Sequence, residues 1–131
     1  MAENLTRKIL SRTLVEGELI PGKRIGIKAD QSLSHDLNVI MTYLVLETLG
    51  LKKKRVREAF QYVDHNMLQA DFKNADDHRY IAGMTKKLGI TMARSGSGIC
   101  HYMHLERAAK PGWLLVGGDS HTPTAGGIGS L

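Results

Sequence analysis

The sequence predicts an α/β fold organised around a largely parallel sheet. Short apolar runs of strand length alternate with longer segments of helical periodicity, the pattern that βα units produce. Two acid–histidine clusters, Asp64-His65 and Asp119-Ser120-His121, directly follow two of those runs. Parallel sheets gather their ligands at the carboxyl ends of strands, so both clusters stand where a site is expected.

Asn4 and Thr6 can cap a first helix through about Val15, with Leu5, Ile9, Leu10 and Leu14 on one face. Pro21-Gly22 marks a turn, and Arg24 to Ala29 alternates apolar with basic residues as a short strand. Ser34 or Asp36 can cap a second helix to Leu49, whose Leu37, Ile40, Met41, Leu44 and Val45 repeat at helical spacing before Gly50. Ala59 to Val63 reads as a strand ending at Asp64-His65. Asn74 opens a third helix through about Leu88, closed by Gly89. Ile90 to Ala93 is a short strand, Ser95-Gly96-Ser97-Gly98 a loop, and Ile99 to Ala109 a helix. Pro111-Gly112 then turns the chain into a buried strand, Trp113 to Val116, which runs into a glycine-rich stretch.

The chain has 131 residues, 42% hydrophobic and 24% charged, a composition that excludes disorder. No run approaches the roughly 18 apolar residues of a membrane span, and the longest, Val39 to Leu46, is broken by Thr42. A single cysteine, Cys100, excludes an internal disulfide framework and a self-contained cysteine-held cluster. The start, MAENLTRKIL, lacks the apolar segment of a secretory signal, so a cytoplasmic setting is expected. The formal charge is 18 − 13 = +5, with a basic run from Lys52 to Arg57. That run lacks interleaved aromatics and a nucleic-acid fingerprint, so it reads as a solvated face. A small basic module binding nucleic acid or a partner protein remains the rival from a different class. Five glycines fall between Gly117 and Gly129, and the chain ends within that stretch, which reads as an incomplete domain.

Three segments carry chemistry. In Asp64-His65 a carboxylate beside an imidazole can set its tautomer for proton transfer, although neighbours on an extended strand point to opposite faces and need a turn to meet. The plain alternative is a polar strand end with Asp64 bonding backbone groups. Gly117-Gly118-Asp119-Ser120-His121-Thr122-Pro123 offers an acceptor, a hydroxyl and a titratable ring between glycines that permit close backbone approach. It lacks the Gly-x-Ser-x-Gly context of a hydrolase nucleophile, and its plain alternative is a turn capped by Asp119 and Thr122. In Gly96-Ser97-Gly98-Ile99-Cys100-His101, His101 opens a helix. His104, one turn on, reads as a surface or packing residue, and Cys100 as a small buried hydrophobe. No metal-ligand set is evident.

Taken together, Tyr62-Val63-Asp64-His65-Asn66-Met67-Leu68-Gln69, Gly96 to His101 and Gly118-Asp119-Ser120-His121-Thr122-Pro123 resemble, in order and spacing, the N-terminal domain of the aconitase superfamily. Ser34-His35-Asp36 fits that family's substrate-side segment. The resemblance covers essentially all of residues 1–131. It implies an incomplete three-layer α/β/α domain with a mostly parallel sheet, the first part of a [4Fe-4S] catalytic region whose remaining domains lie outside the chain. The family reversibly dehydrates hydroxy-tricarboxylic acids, with one cluster iron acting as Lewis acid.

By resemblance, His65, oriented by Asp64, would protonate the departing hydroxyl. Asp119 would contact that hydroxyl or iron-bound water and pair with His101. His121 would also hold the iron-bound water, Ser120 would bind a substrate carboxylate, and His35 would contact substrate where mitochondrial-type aconitases carry glutamine. The leading expectation is the N-terminal portion of an aconitate hydratase acting on citrate, cis-aconitate and isocitrate. The alternative is the same region of a homoaconitase or 3-isopropylmalate dehydratase; the Val63-Asp64-His65-Asn66-Met67-Leu68-Gln69 form favours aconitase, while His35 leans slightly the other way. The family's three cluster cysteines lie downstream of this region, so the chain alone is expected to hold no cluster and to be inactive. Its missing partner domains should leave apolar surface uncovered.

Overall fold

A computed structural model describes residues 3–131; Met1 and Ala2, the first residues of the segment read above for a secretory signal, lie outside the described residues. The first helix, α1 (Leu5–Thr13), is capped by Asn4, whose Oδ1 accepts from the Arg7 N–H at 2.9 Å. It stops two residues short of the predicted Val15, because Leu14–Glu16 (β1) extends to pair antiparallel with Gly26–Ile27 (β2). The strand expected over Arg24–Ala29 is reduced to this two-residue rung.

The main sheet is four-stranded and wholly parallel, in the order β5-β4-β3-β6. Its strands are β3 (Gln31–His35), β4 (Glu58–Tyr62), β5 (Thr91–Ala93) and β6 (Leu115–Gly117). The last three were expected to within two residues. The central strand β3 was not expected at all. Its inward residues are Gln31, Leu33 and His35, two of them polar, so no apolar alternation announces it. Gln31 is fully buried; its Nε2 donates to the Ala108 carbonyl and to Glu58, both at 2.8 Å, while its Oε1 has no partner among the described residues.

The helices α2 (Asp36–Thr48) and α3 (Phe72–Leu88) cover one face, closing a core of Val39, Tyr43, Ile81, Met84 and Leu88. The helix α4 (Cys100–Arg107) and a closing 3₁₀ helix (Thr122–Ile128) cover the other, over Leu33, Tyr62, Cys100, Leu115 and Ala125. The expected α/β/α layering is therefore present. Helix α3 begins two residues before Asn74, because Asp71 caps it, and ends at Gly89 in the left-handed region (φ +70°).

Two details differ from the sequence reading. The 3₁₀ helix occupies the glycine-rich stretch, to which no helix was assigned from sequence, with Pro123 in its first turn. The inward side of α2 is Val39 and Tyr43, and not the stripe of Leu37, Met41, Leu44 and Val45, which is exposed together with Leu49. This helix is apolar nearly all round, so periodicity could not tell its two sides apart. No described helix is long and apolar enough to cross a membrane.

From β3 the chain steps outward through β4 to β5 on one side, then returns across β3 to place β6 on the other. The winding direction thus changes between β3 and β6. In open parallel sheets the crevice for a ligand opens at this point, beyond the carboxyl ends of the strands.

Candidate active site

At that crevice lies an open cleft of about 500 Å³, lined by His35, Asp64, His65, His101, Asp119, Ser120 and His121, with Leu37, Ile99, Tyr102 and Thr124 at its apolar margin. All seven site residues expected from sequence meet there, from four separate stretches of chain. His35 ends β3, Asp64 and His65 follow β4, His101 lies in the first turn of α4, and Asp119 to His121 follow β6.

The cleft holds two carboxylate–imidazole pairs. Asp64 Oδ1 meets His65 Nδ1 at 2.8 Å, and Asp64 Oδ2 accepts from the Cys100 N–H at 2.7 Å, at the start of α4. Asp64 therefore both meets a histidine and satisfies a helix N-terminus, bonding a backbone group as well as the imidazole. Burial opposes its ionisation, but the Cys100 N–H and His65 outweigh burial and hold the carboxyl below its usual range.

In the second pair, His101 Nε2 lies 2.9 Å from Asp119 Oδ2. Asp119 also accepts from the His121 N–H at 2.9 Å and the Thr122 hydroxyl at 2.6 Å. Burial again disfavours the charged form, and these donors together bring the Asp119 carboxyl below its usual range. Thr122 is buried beneath the turn and was read only as a local cap.

The remaining imidazoles connect the pairs. The rings of His35 and His65 stack at 4.0 Å and 13°, and those of His101 and His121 lie 5.9 Å apart. His35 is held by Asn38, which accepts from its backbone N–H at 3.2 Å and meets Nε2 at 3.1 Å. Burial first, and the neighbouring His65 second, lower the His35 pKa. Ser120 Oγ lies 3.1 Å from His121 Nδ1.

Glycine is required at Gly117. A Cβ there would sit 2.0 Å from the Thr122 hydroxyl oxygen. Gly117→Ala is expected to cost about 1–3 kcal/mol and to displace Thr122 from Asp119. A thermal melt and the Thr122 side-chain shifts check this; unchanged values for both would refute it.

His35, Asp36, Asp64 and His65 bring possible ligand atoms within 4.8 Å of one another. The oxygens of Asp36 and Asp64 are already engaged by backbone N–H groups and His65. His104 is a packing residue: fully buried, with Nδ1 3.0 Å from the Tyr62 hydroxyl. Cys100 is buried, and burial followed by Asp64 pushes its thiol up to about 12. In the basic run, Arg57 lies over the Trp113 ring at 4.8 Å, and a second cation, Lys110, lies 4.3 Å from the same ring.

The profile of the aconitase family (aconitate hydratase) matches residues 7–131. The chain belongs to the aconitase family. Among curated members of that family, it is 29% identical over its whole length to the 3-isopropylmalate dehydratase large subunit 1 of Thermotoga maritima, and 33% identical to the large subunit from Sulfurisphaera tokodaii. Over 98% of its length it is 32% identical to the mitochondrial homoaconitase of Kluyveromyces lactis. It spans 31% and 32% of the two dehydratase subunits and 19% of the homoaconitase.

Proposed function

We propose that this aconitase-family chain supplies the proton-transfer half of a hydro-lyase site, acting on a hydroxylated carboxylic acid of the 3-isopropylmalate or homocitrate type. The observation that carries the proposal is the convergence of two carboxylate–imidazole pairs, Asp64–His65 and Asp119–His101, on one cleft. Hydroxide is a poor leaving group and departs as water only when a proton is delivered to it. His65, with Nδ1 fixed by Asp64, has Nε2 left to deliver that proton, a step worth about 10²–10⁴ in rate. Ser120 and His35 stand at the cleft wall to bind the substrate's carboxylate and hydroxyl groups, and His101 and His121 add donors beside them.

The aconitate hydratase reading is the weaker one. The relatives described above are two 3-isopropylmalate dehydratase large subunits and a homoaconitase, and by resemblance His35 would stand where mitochondrial-type aconitases carry glutamine. Family members use a [4Fe-4S] cluster, which supplies a Lewis acid for the leaving hydroxyl when bound. The residues of this chain do not fit a cluster: its one thiol is buried, held in the neutral form and packed against Asp64. Cluster cysteines would come from outside residues 1–131.

One assay tests the reading. The purified chain, given iron and sulfide, is expected to show neither cluster absorbance nor turnover. The complete enzyme carrying these residues is expected to hydrate the unsaturated acids of 3-isopropylmalate or homocitrate faster than cis-aconitate. Turnover by the chain alone, or a complete enzyme inert toward all three, would overturn it.

A further inference from the structure

We infer that Asp36 is the positioning residue that shapes the Asp64–His65 pair. Neighbouring residues of an extended strand point to opposite faces, so Asp64 and His65 can bond only if the chain turns after β4. The last sheet hydrogen bond on this stretch is from the Val63 N–H to the Ala93 carbonyl. The next three N–H groups leave the sheet and all donate to one side chain. Asp36 Oδ1 accepts from Asp64 and His65, each at 3.1 Å, and Oδ2 accepts from Asn66 at 2.6 Å.

The position of Asp36 makes this possible. It is the first residue of α2, immediately after β3, and β3 and β4 are paired so that His35 lies beside Tyr62. Its side chain is 2% exposed, and Oδ1 also lies 3.8 Å from His65 Nδ1. A carboxylate has two oxygens that only accept, which matches three converging donors; an asparagine amide would turn two N–H donors toward them. Asp36 thus replaces the ladder that β5 no longer supplies and sets the turn that aims His65.

The inference rests on His65 acting in the cleft as proposed, but its test does not use turnover. In histidine-labelled protein, Asp36→Asn is expected to speed exchange of the His65 amide by at least about tenfold. The neutral His65 ring, a single tautomer with its proton on Nδ1 before substitution, is expected to become a mixture, while the His101 ring signals stay in place. A variant that melts at lower temperature yet keeps the His65 tautomer and amide exchange would show only a helix-terminal charge and would overturn the inference. If Asp36→Asn does not fold, the unaltered protein decides. A His65 amide exchanging as slowly as those of β4 supports the clamp, and one exchanging like an exposed loop amide refutes it. An inactive complete enzyme with a protected His65 amide would instead count against the hydro-lyase reading alone.

Discussion

In the complete enzyme, His65→Gln is expected to lower kcat by about 10²–10⁴-fold while leaving KM within a few fold. His65 is the imidazole best placed to deliver a proton. Asp64 fixes its Nδ1 at 2.8 Å, and the ring stacks on His35 at the cleft wall, which limits its rotation. Its side chain is 39% exposed, so replacement removes little packing and the melting temperature should hardly move. This separates it from Asp64→Asn, which would also weaken the bond to the Cys100 N–H and so loosen α4 and His101. Initial rates of hydration, followed by the absorbance of the unsaturated acid, measure the effect. A His65→Gln enzyme with a kcat within a few fold of the parent would remove His65 from the proton-transfer role.

Why the site was more legible than the strand at its centre is a matter of geometry. A parallel sheet brings the carboxyl ends of its strands to one edge, whatever the register. Once Asp64-His65 and Asp119-Ser120-His121 were read as following strands, their convergence needed only the right strand order. β3 failed the test of alternation because the core accepts polar groups there. Gln31 Nε2 finds the Ala108 carbonyl and Glu58, and His35 finds Asn38 through its backbone N–H and Nε2. A hydrophobicity pattern records which residues avoid water, and not which polar residues find partners inside. Asp36 escaped for a related reason. It was visible as a helix cap, but its three donors lie 28 to 30 residues away and face it only because β3 and β4 are neighbours. Thr122 is the milder case: Asp119-x-x-Thr122 suggests a capped turn, and the packing of that turn against Gly117 emerges only in three dimensions.

Stability is expected to fall as pH drops from about 6.5 toward 4, and His104 is the principal cause. The ring is 1% exposed, enclosed by the aromatic rings of Phe60 and Tyr62, and its Nε2 has no partner among the described residues. Burial first, and the nearby His101 second, push its pKa down to about 4, with the Glu58 carboxylate opposing weakly. The unfolded chain therefore binds a proton near pH 6.5 that the folded chain refuses until about pH 4. Stability is full above the unfolded value and drains across this window, by about 3 kcal/mol at roughly 1.36 kcal/mol per unit. His35, also lowered by burial, acts in the same direction. The lowered carboxyls of Asp64 and Asp119 act only at more acid pH, where they must be protonated. His104→Gln cannot titrate but offers the Tyr62 hydroxyl an amide oxygen, so it should flatten most of the slope between pH 7 and 4.5. Urea midpoints at those two pH values, for both proteins, decide the matter. Equal losses in the two would place the acid sensitivity elsewhere.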